Sequence, residues 1–443
     1  LQTSRVWTRR PEAPRIADMS SHEEILRHLE RDYTNPVRDP LWKHIYLTPA
    51  LEKAIRSAPF VRLGRLKQLG LAVLVYPGAV HTRANHSLGV FHLARRIIHS
   101  LTLSPAYPDH LTLEGVKAYL CAALFHDLGH FPYAHVLEDG LDIKNHERLT
   151  AEAILSSELT VLIKHEVGTE PAFVAAIVDH NLDYGPAKDQ VRFFRKLLSG
   201  VLDPDKLDYL NRDAYFCGIP YGMQDPDFII SQLIPHRELG IGLSPKGILS
   251  VEHLLFSKYL MYKSVYWHKG VRAPSAVIKK ALGLALRAGA LKAEEFYAED
   301  DVSFAAKMTR YDHPTLKKIA LAETPGAYVS LHEQPFDEHG LFNMRIRDPK
   351  DKFETEEEIR RELEKESGVS LAPEDVTIDV PHSVSFEVDL TIIRDGRLTP
   401  FMDSGTVFDR GVVTGFTTNL KRMRLVTPRA LKGKIRQPER FFL

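Results

Sequence analysis

Cysteine is nearly absent: Cys121 and Cys217 are the only two in 443 residues. Neither stands in a CxxC pair, which excludes a disulfide framework and a thiolate zinc site and suits a reducing compartment. No apolar run reaches the roughly 18 residues that a membrane helix needs, and the opening Leu1-Gln-Thr-Ser-Arg5 has no signal-peptide core. A soluble, cytoplasmic protein with no membrane partner is therefore expected. Neither sign of charge is in excess. Lys and Arg number 58, as do Asp and Glu, so net charge gives no argument for nucleic acid. Internal repeats and low-complexity tracts are also lacking. What is plentiful is apolar residues, 44% of the chain and enough for a sizeable core, and histidine, 21 in all.

The length fits about three domains, or one large helical domain with an appendage. Residues 1–35 are polar, with Arg9-Arg-Pro-Glu-Ala-Pro-Arg15 ahead of a short helix near 23–31, and read as a tail or arm. From Pro40 the pattern turns helical. Thr48-Pro49 caps and opens one helix, a run from Phe60 stops at Gly70, and His86 begins another helix. Val73-Leu-Val-Tyr76 reads as a strand-like link. Further helices are expected at 112–126, 146–157, 171–180, 190–200, 204–216 and about 250–268. After about 335 the character changes. A charged helix at 356–366 is followed by Thr377-Ile-Asp-Val380 and Ser385-Phe-Glu-Val-Asp-Leu390, which alternate as strands do, and by the β-branched Gly411-Val-Val-Thr414. The expected fold is mainly α: a tail at 1–35, a helical domain at 36–335, and a small α+β domain at 336–443.

The chemistry gathers at one stretch. An apolar run from Leu120 ends in His126-Asp127, with Gly129, His130 and His135 close behind. Titratable groups at the end of a helix built for burial are costly unless compensated, and a metal ion compensates both imidazole and carboxylate. A helix stop at a left-handed Gly129, with histidines against the helix dipole, would account for one histidine but not for the adjacent pair. Matching groups lie elsewhere. His86 opens a helix, and Asp205 starts another on which Asp205, Tyr209 and Asp213 share a face at i, i+4 and i+8. Two histidines and two aspartates form a donor set suited to Fe, Mn, Co or Ni, and less diagnostic of Zn. Such a site can polarise a phosphoryl oxygen. His130, His135 and His146 can line the same cavity and move protons near neutrality. Asp208 and Arg212, also i, i+4, read as a structural pair.

Asn85-His86-Ser-Leu-Gly89, His126-Asp-Leu-Gly-His-Phe-Pro-Tyr-Ala-His135, His146-Glu147 and Asp203-Pro-Asp-Lys-Leu-Asp-Tyr-Leu-Asn-Arg-Asp213 together resemble the HD superfamily of metal-dependent phosphohydrolases. Within it they are similar to the deoxynucleoside triphosphate triphosphohydrolases, over a span from about residue 39 to 280. The resemblance implies a mostly helical fold and cleavage of a dNTP to deoxynucleoside and intact triphosphate. It makes His86, His126, Asp127 and Asp205 metal ligands, and His135 the acid for the leaving 5′-oxygen. His130, His146 and Glu138 become further active-site groups. Gln68 and Asp213 match groups that hold the sugar 3′-hydroxyl, and Arg83, Lys206 and Tyr209 match contacts to phosphates and sugar. Tyr266 matches the aromatic packed where a 2′-hydroxyl would project. Mg²⁺ is implied with the triphosphate, and a homo-oligomer (dimer, tetramer or hexamer) as the assembly.

The sequence departs from the mammalian pattern at several places. Lys258 stands for a phosphate-binding arginine, a point charge for a bidentate fork. Tyr262 replaces a histidine near the sugar, and Trp267 a glutamine beside the base. Arg56, Val61 and Gly64 do not keep the positions that read an activating guanine nucleotide, so activation by dGTP does not carry over. Two alternatives stay open. One is an HD phosphohydrolase acting on a monophosphate, a cyclic or signalling nucleotide, or a nucleic-acid end. The other is a low-turnover nucleotide- or nucleic-acid-binding regulator, for which Lys421-Arg-Met-Arg424 and the basic residues of 432–440 are the candidates.

Overall fold

A computed structural model describes residues 20–443 except 139, 383 and 387; the side chain of residue 157 is not described. Residues 1–19, with the Arg9–Arg15 cluster, lie outside the described residues. The fold is mainly α, as expected, with three small sheets among the described residues. Among the described residues no helix is long and apolar enough to cross a membrane.

The helices that carry the site begin at strong caps. Thr82 accepts from the Asn85 backbone N–H to start Arg83–Thr102, and Asp203 accepts from Lys206 N–H, with Pro204 at the first helical position, to start Pro204–Cys217. Thr112 caps Leu113–Phe125, whose last turns are buried on every side. Asn145 caps His146–Ile154. Ile248–Met261 runs into a π-helical turn at Tyr262–Tyr266, the kind of irregularity that re-aims side chains at functional sites. Lys269–Arg287 follows.

One apolar core runs through these helices and takes in Ile25 and Leu29 of helix Ser21–Arg31. It also reaches Phe386, Leu390, Ile392, Phe401 and Phe408 from beyond residue 335. A second, smaller core holds Ile359, Leu363, Val376, Ile378, Met423 and Leu425.

The strands are β1 Asn35–Asp39 and β2 Lys43–Leu47, an antiparallel pair; β3 Leu233–His236 and β4 Gly240–Leu243; β5 Tyr328–Pro335; β6 Thr377–Asp379; β7 Thr391–Arg394 and β8 Arg397–Pro400; and β9 Arg422–Pro428. β5, β9 and β6 form an antiparallel sheet, while β7 pairs in parallel with β4 through Leu243 and Ile392. The C-terminal segment is thus joined to the helical body by a strand pair as well as by the shared core. Buried ion pairs of Arg272 with Asp379 (2.5 Å) and Lys280 with Glu356 (2.7 Å) tie the Lys269 helix to it.

Four local expectations fail. Residues 40–47, expected to be helical, form the turn and second strand of the β1–β2 hairpin, with Lys43 at φ 68° opening β2. Val73–Tyr76 is not strand-like: Gly70–Leu74 coils into a 3₁₀ turn that buries Leu71 and Ala72. Gly411–Thr414 lies in the helix Arg410–Leu420, because Asp409 caps it and Phe416 packs against Tyr259, Phe386 and Phe408. Tertiary packing overrides β-branched propensity there. The described residues of 385–390 make no strand; the ladder starts at Thr391.

Candidate active site

The Arg83, Leu113 and Pro204 helices converge on a cavity of about 700 Å³, a size suited to one nucleotide-sized molecule. At its floor lie His86, His126, Asp127 and Asp205. His86 Nε2 is 2.8 Å from Asp205 Oδ1, and His126 Nε2 is 3.3 Å from Asp127 Oδ1 and 3.8 Å from Asp205 Oδ1.

The outer nitrogens define the tautomers. His126 Nδ1–H donates to the Ala123 carbonyl (2.9 Å), which can only accept, so Nε2 is left as the free donor atom. That Nε2 is buried and meets no hydrogen-bond partner. His86 Nδ1–H donates to Asp208 Oδ2 (2.8 Å), a carboxylate behind the imidazole of the kind that orients metal-binding histidines. The orphaned nitrogen and the nitrogen/oxygen donor set fit a divalent cation. Burial would depress the His86 imidazolium, but hydrogen bonds to Asp205 and Asp208 outweigh it and raise it to about 10. A proton and a cation therefore compete for His86 Nε2. Asp127 would be raised by burial, yet His130, His126 and Arg83 hold it far below the usual carboxylate range. Arg83 Nη1–H donates to its Oδ2 at 2.8 Å.

Close approach explains two glycines. A Cβ on Gly89 would lie 1.8 Å from Asp208 Oδ1, so Gly89 lets the Pro204 helix bring Asp208 to His86. A Cβ on Gly129 would lie 2.2 Å from the His146 carbonyl. Gly129 is not left-handed; its N–H donates to Thr150 Oγ1 (2.8 Å), whose hydroxyl donates to the His126 carbonyl (3.0 Å). Arg62 completes the clamp on the loop by donating to the carbonyls of Leu128 (2.6 Å) and His130 (2.7 Å).

On the adjoining wall His130, His135 and His146 stand together. His130 Nε2 is 3.3 Å from His135 Nε2, and the His130 and His146 rings are 4.0 Å apart. Their environments differ. Burial and the charge of Arg83 hold His130 well below the ordinary histidine value. Burial would also lower His146, but its hydrogen bond to Glu138 (3.0 Å) wins and raises it. Glu138 would be raised by burial, and the His146 hydrogen bond, with His135 Nδ1 3.8 Å away, brings it far down instead. His135 is the accessible one, its side chain 64% exposed against 1% for His130.

Gln68, Tyr209, Asp213, Lys258, Tyr262 and Tyr266 also line the cavity, as does Trp267. Tyr266 O–H donates to Asp213 Oδ2 at 2.7 Å. Lys258 donates to the Ser385 carbonyl (2.8 Å) above the Phe386 ring. Two candidates stand back from the cavity lining. Glu138 acts behind His146, and Lys206 places its ammonium on Asp203 Oδ2 (2.7 Å) and the Gly200 carbonyl (2.9 Å).

Several contributors escape a reading along the chain. Asp208 supports a candidate ligand, Arg272 and Ser275 line one wall, and Pro381, His382, Val384 and Ser385 arrive from the C-terminal segment. For Asp208 the signal was its i, i+4 partner Arg212; for the others the sequence carried none. The basic cluster at 421–424 is consumed internally: Arg422 and Arg424 pair with Glu333, and Arg424 is buried. Arg440 pairs with Glu366 at 2.5 Å.

Two family models match this chain, the HD domain over residues 83–212 and the HD associated region over residues 229–409. Uncharacterized proteins of Methanocaldococcus jannaschii and Bacillus subtilis are 31% and 34% identical to it, over 64% and 55% of this chain and 57% and 54% of their own. The deoxynucleoside triphosphate triphosphohydrolase SAMHD1 of Homo sapiens is 26% identical over 57% of this chain and 46% of its own length. The chain spans about half the length of the curated relatives it matches. A crystal structure of a hypothetical protein from Aquifex aeolicus matches with a TM-score of 0.67 at 25% identity, covering 90% of this chain and 98% of that one. A phosphohydrolase from Bacteroides thetaiotaomicron shares the fold, with a TM-score of 0.69 at 24% identity, over 89% of this chain and all (100%) of that one.

Proposed function

Because the chain belongs to the HD superfamily, and because one helix carries Asp205 at the cation end of the cavity and Asp213 at its far end, we propose that it hydrolyses dNTPs to deoxynucleoside and inorganic triphosphate. Eight residues of helix separate the two carboxylates by about 12 Å. That ruler is the observation that carries the reading: a spacing of about 12 Å between carboxylates is what a nucleotide with its phosphates at one end and its sugar hydroxyl at the other would need. His86, His126, Asp127 and Asp205 would hold a divalent cation, which would supply Lewis acidity towards water and the phosphoryl oxygens. Mg²⁺ accompanies the triphosphate, and the working assembly is a homo-oligomer, as the resemblance implies.

The chain's own groups do the rest. Arg83 and Lys258 face the triphosphate charge. A water oxygen attacks the α-phosphorus, the bond from phosphorus to the 5′-oxygen breaks, His135 gives the leaving oxygen its proton, and the proton lost by the water restores the imidazolium. His135 suits that task as the accessible member of the histidine cluster, backed by His130 and by Glu138. Tyr266 and Tyr262, whose rings meet edge to face at 5.0 Å in the cavity lining, pack against the sugar. The test is product analysis. Purified protein is incubated with each dNTP and NTP and with Mg²⁺ or Mn²⁺, and the products are separated by anion exchange. Intact triphosphate with deoxynucleoside is expected; release of phosphate or pyrophosphate instead would move the protein to another HD chemistry.

A further inference from the structure

The two acceptors at the far end of the cavity are both held by one residue that does not itself line it. His81 is buried, its side chain at 0% exposure, and its Nε2 lies 2.8 Å from Asp213 Oδ1. A carboxylate only accepts, so the ring donates through Nε2. Its Nδ1 is buried without a partner, and its face stacks on Phe216 at 4.6 Å. The His81 carbonyl accepts the Gln68 backbone N–H at 3.0 Å, within a short antiparallel contact where Lys67 bridges Thr82. Ring and backbone of His81 thus hold Asp213 and Gln68 respectively.

Both acceptors have unused capacity. Asp213 already takes one donor on each oxygen, His81 on Oδ1 and the Tyr266 hydroxyl on Oδ2. Each carboxylate oxygen has a second lone-pair position. Gln68 Oε1 is buried with no partner at all. A buried acceptor left unsatisfied is costly, so this end of the cavity calls for a hydrogen-bond donor on the ligand and not for an anion.

We infer that His81 is a positioning residue: it fixes the Asp213 carboxylate so that, with Gln68, it accepts a ligand hydroxyl. This rests on the nucleotide reading above, in which that hydroxyl is the sugar 3′-OH. His81 touches no ligand and acts only through Asp213 and Gln68.

The test compares wild type with His81→Phe and His81→Gln. Phe keeps the volume and the stacking on Phe216 but removes the donor. Gln restores an N–H near the position of Nε2. Calorimetry measures binding of a 2′-deoxy- and a 2′,3′-dideoxynucleoside triphosphate in a nonhydrolysable α,β-imido form, with melting temperature as the folding control. A hydrogen bond to a charged acceptor predicts that wild type prefers the 3′-hydroxyl ligand by roughly ten- to a hundredfold. In His81→Phe the preference should collapse to within about threefold, with the dideoxy ligand bound as in wild type, and His81→Gln should recover most of it. A merely structural role would weaken both ligands alike. Retention of the full preference in His81→Phe, failure of His81→Gln to recover it, or no preference in wild type each overturns the inference. Triphosphate release is scored separately with ordinary dNTPs. Preference without hydrolysis would refute the reaction and keep the role of His81, and hydrolysis with preference intact in His81→Phe would do the opposite.

Discussion

Replacing Asp208 by Asn removes one charge from a place water does not reach. Asp208 accepts from His86 Nδ1 (2.8 Å), Arg212 Nε (2.8 Å), Arg212 Nη2 (2.9 Å) and Trp42 Nε1 (2.5 Å), and it is fully buried. Arg212, also fully buried, keeps only Asp39 (2.9 Å) when that charge is gone. Whichever way the new amide turns, its NH₂ faces a donor. Breaking a buried pair from one side costs about 3–5 kcal/mol. Unfolding entropy of about 2.1 cal/mol/K per residue over the whole chain gives about 0.9 kcal/mol per degree, so the expected fall in Tm is about 3–5 °C. A second readout is independent of stability. Loss of the carboxylate behind His86 should weaken divalent-cation affinity by about 10–100-fold. Calorimetric melting in chelator measures the first effect and metal titration the second. A Tm within a degree of wild type together with unchanged metal affinity would refute the reasoning.

His135→Ala should retain bound metal and nucleotide affinity while kcat falls by about 10²–10⁴, measured by single-turnover triphosphate release; turnover at the parent rate would remove His135 as the acid. Asp127→Ala and Asp205→Ala should lose metal, by elemental analysis, and activity together. His92 supplies a pH dependence away from the ligands. Burial, aided by Arg96 and Arg95, lowers it from 6.5 to about 4, against the opposing pull of Asp208 and Asp39. As pH falls, the unfolded chain takes this proton first, so the stability present above 6.5 drains away towards pH 4. At pH 5 the loss is at most about 2 kcal/mol. Urea midpoints of wild type and His92→Gln at pH 7.5 and 5 should show a shallower loss in the variant, and parallel losses would contradict the assignment.

How much was legible differs from element to element. The helices capped by Thr112, Asn145 and Asp203, and the helix with Pro171 at its first position, lie where their local signals put them, because helix starts are decided within a few residues. The misreadings fall where local preference was weak and a distant partner decided. Arg410–Leu420 is helical because Phe416 finds an aromatic cluster, and 43–47 is a strand because 35–39 pairs with it.

The same division runs through the site. The chain's own order of histidines and aspartates determined the superfamily, the mainly helical fold and the candidate donor atoms for a cation, since each motif is short and complete in itself. Only the tertiary structure decided that Asp208 stands behind His86, that Lys206 turns away to Asp203, and that Pro381, His382, Val384 and Ser385 close one wall. It alone brought His81 to Asp213, 132 positions away. The physical reason is that a ligand atom is named by its type, whereas the carboxylate or imidazole that orients it is found only when packed helices place the two within hydrogen-bond reach.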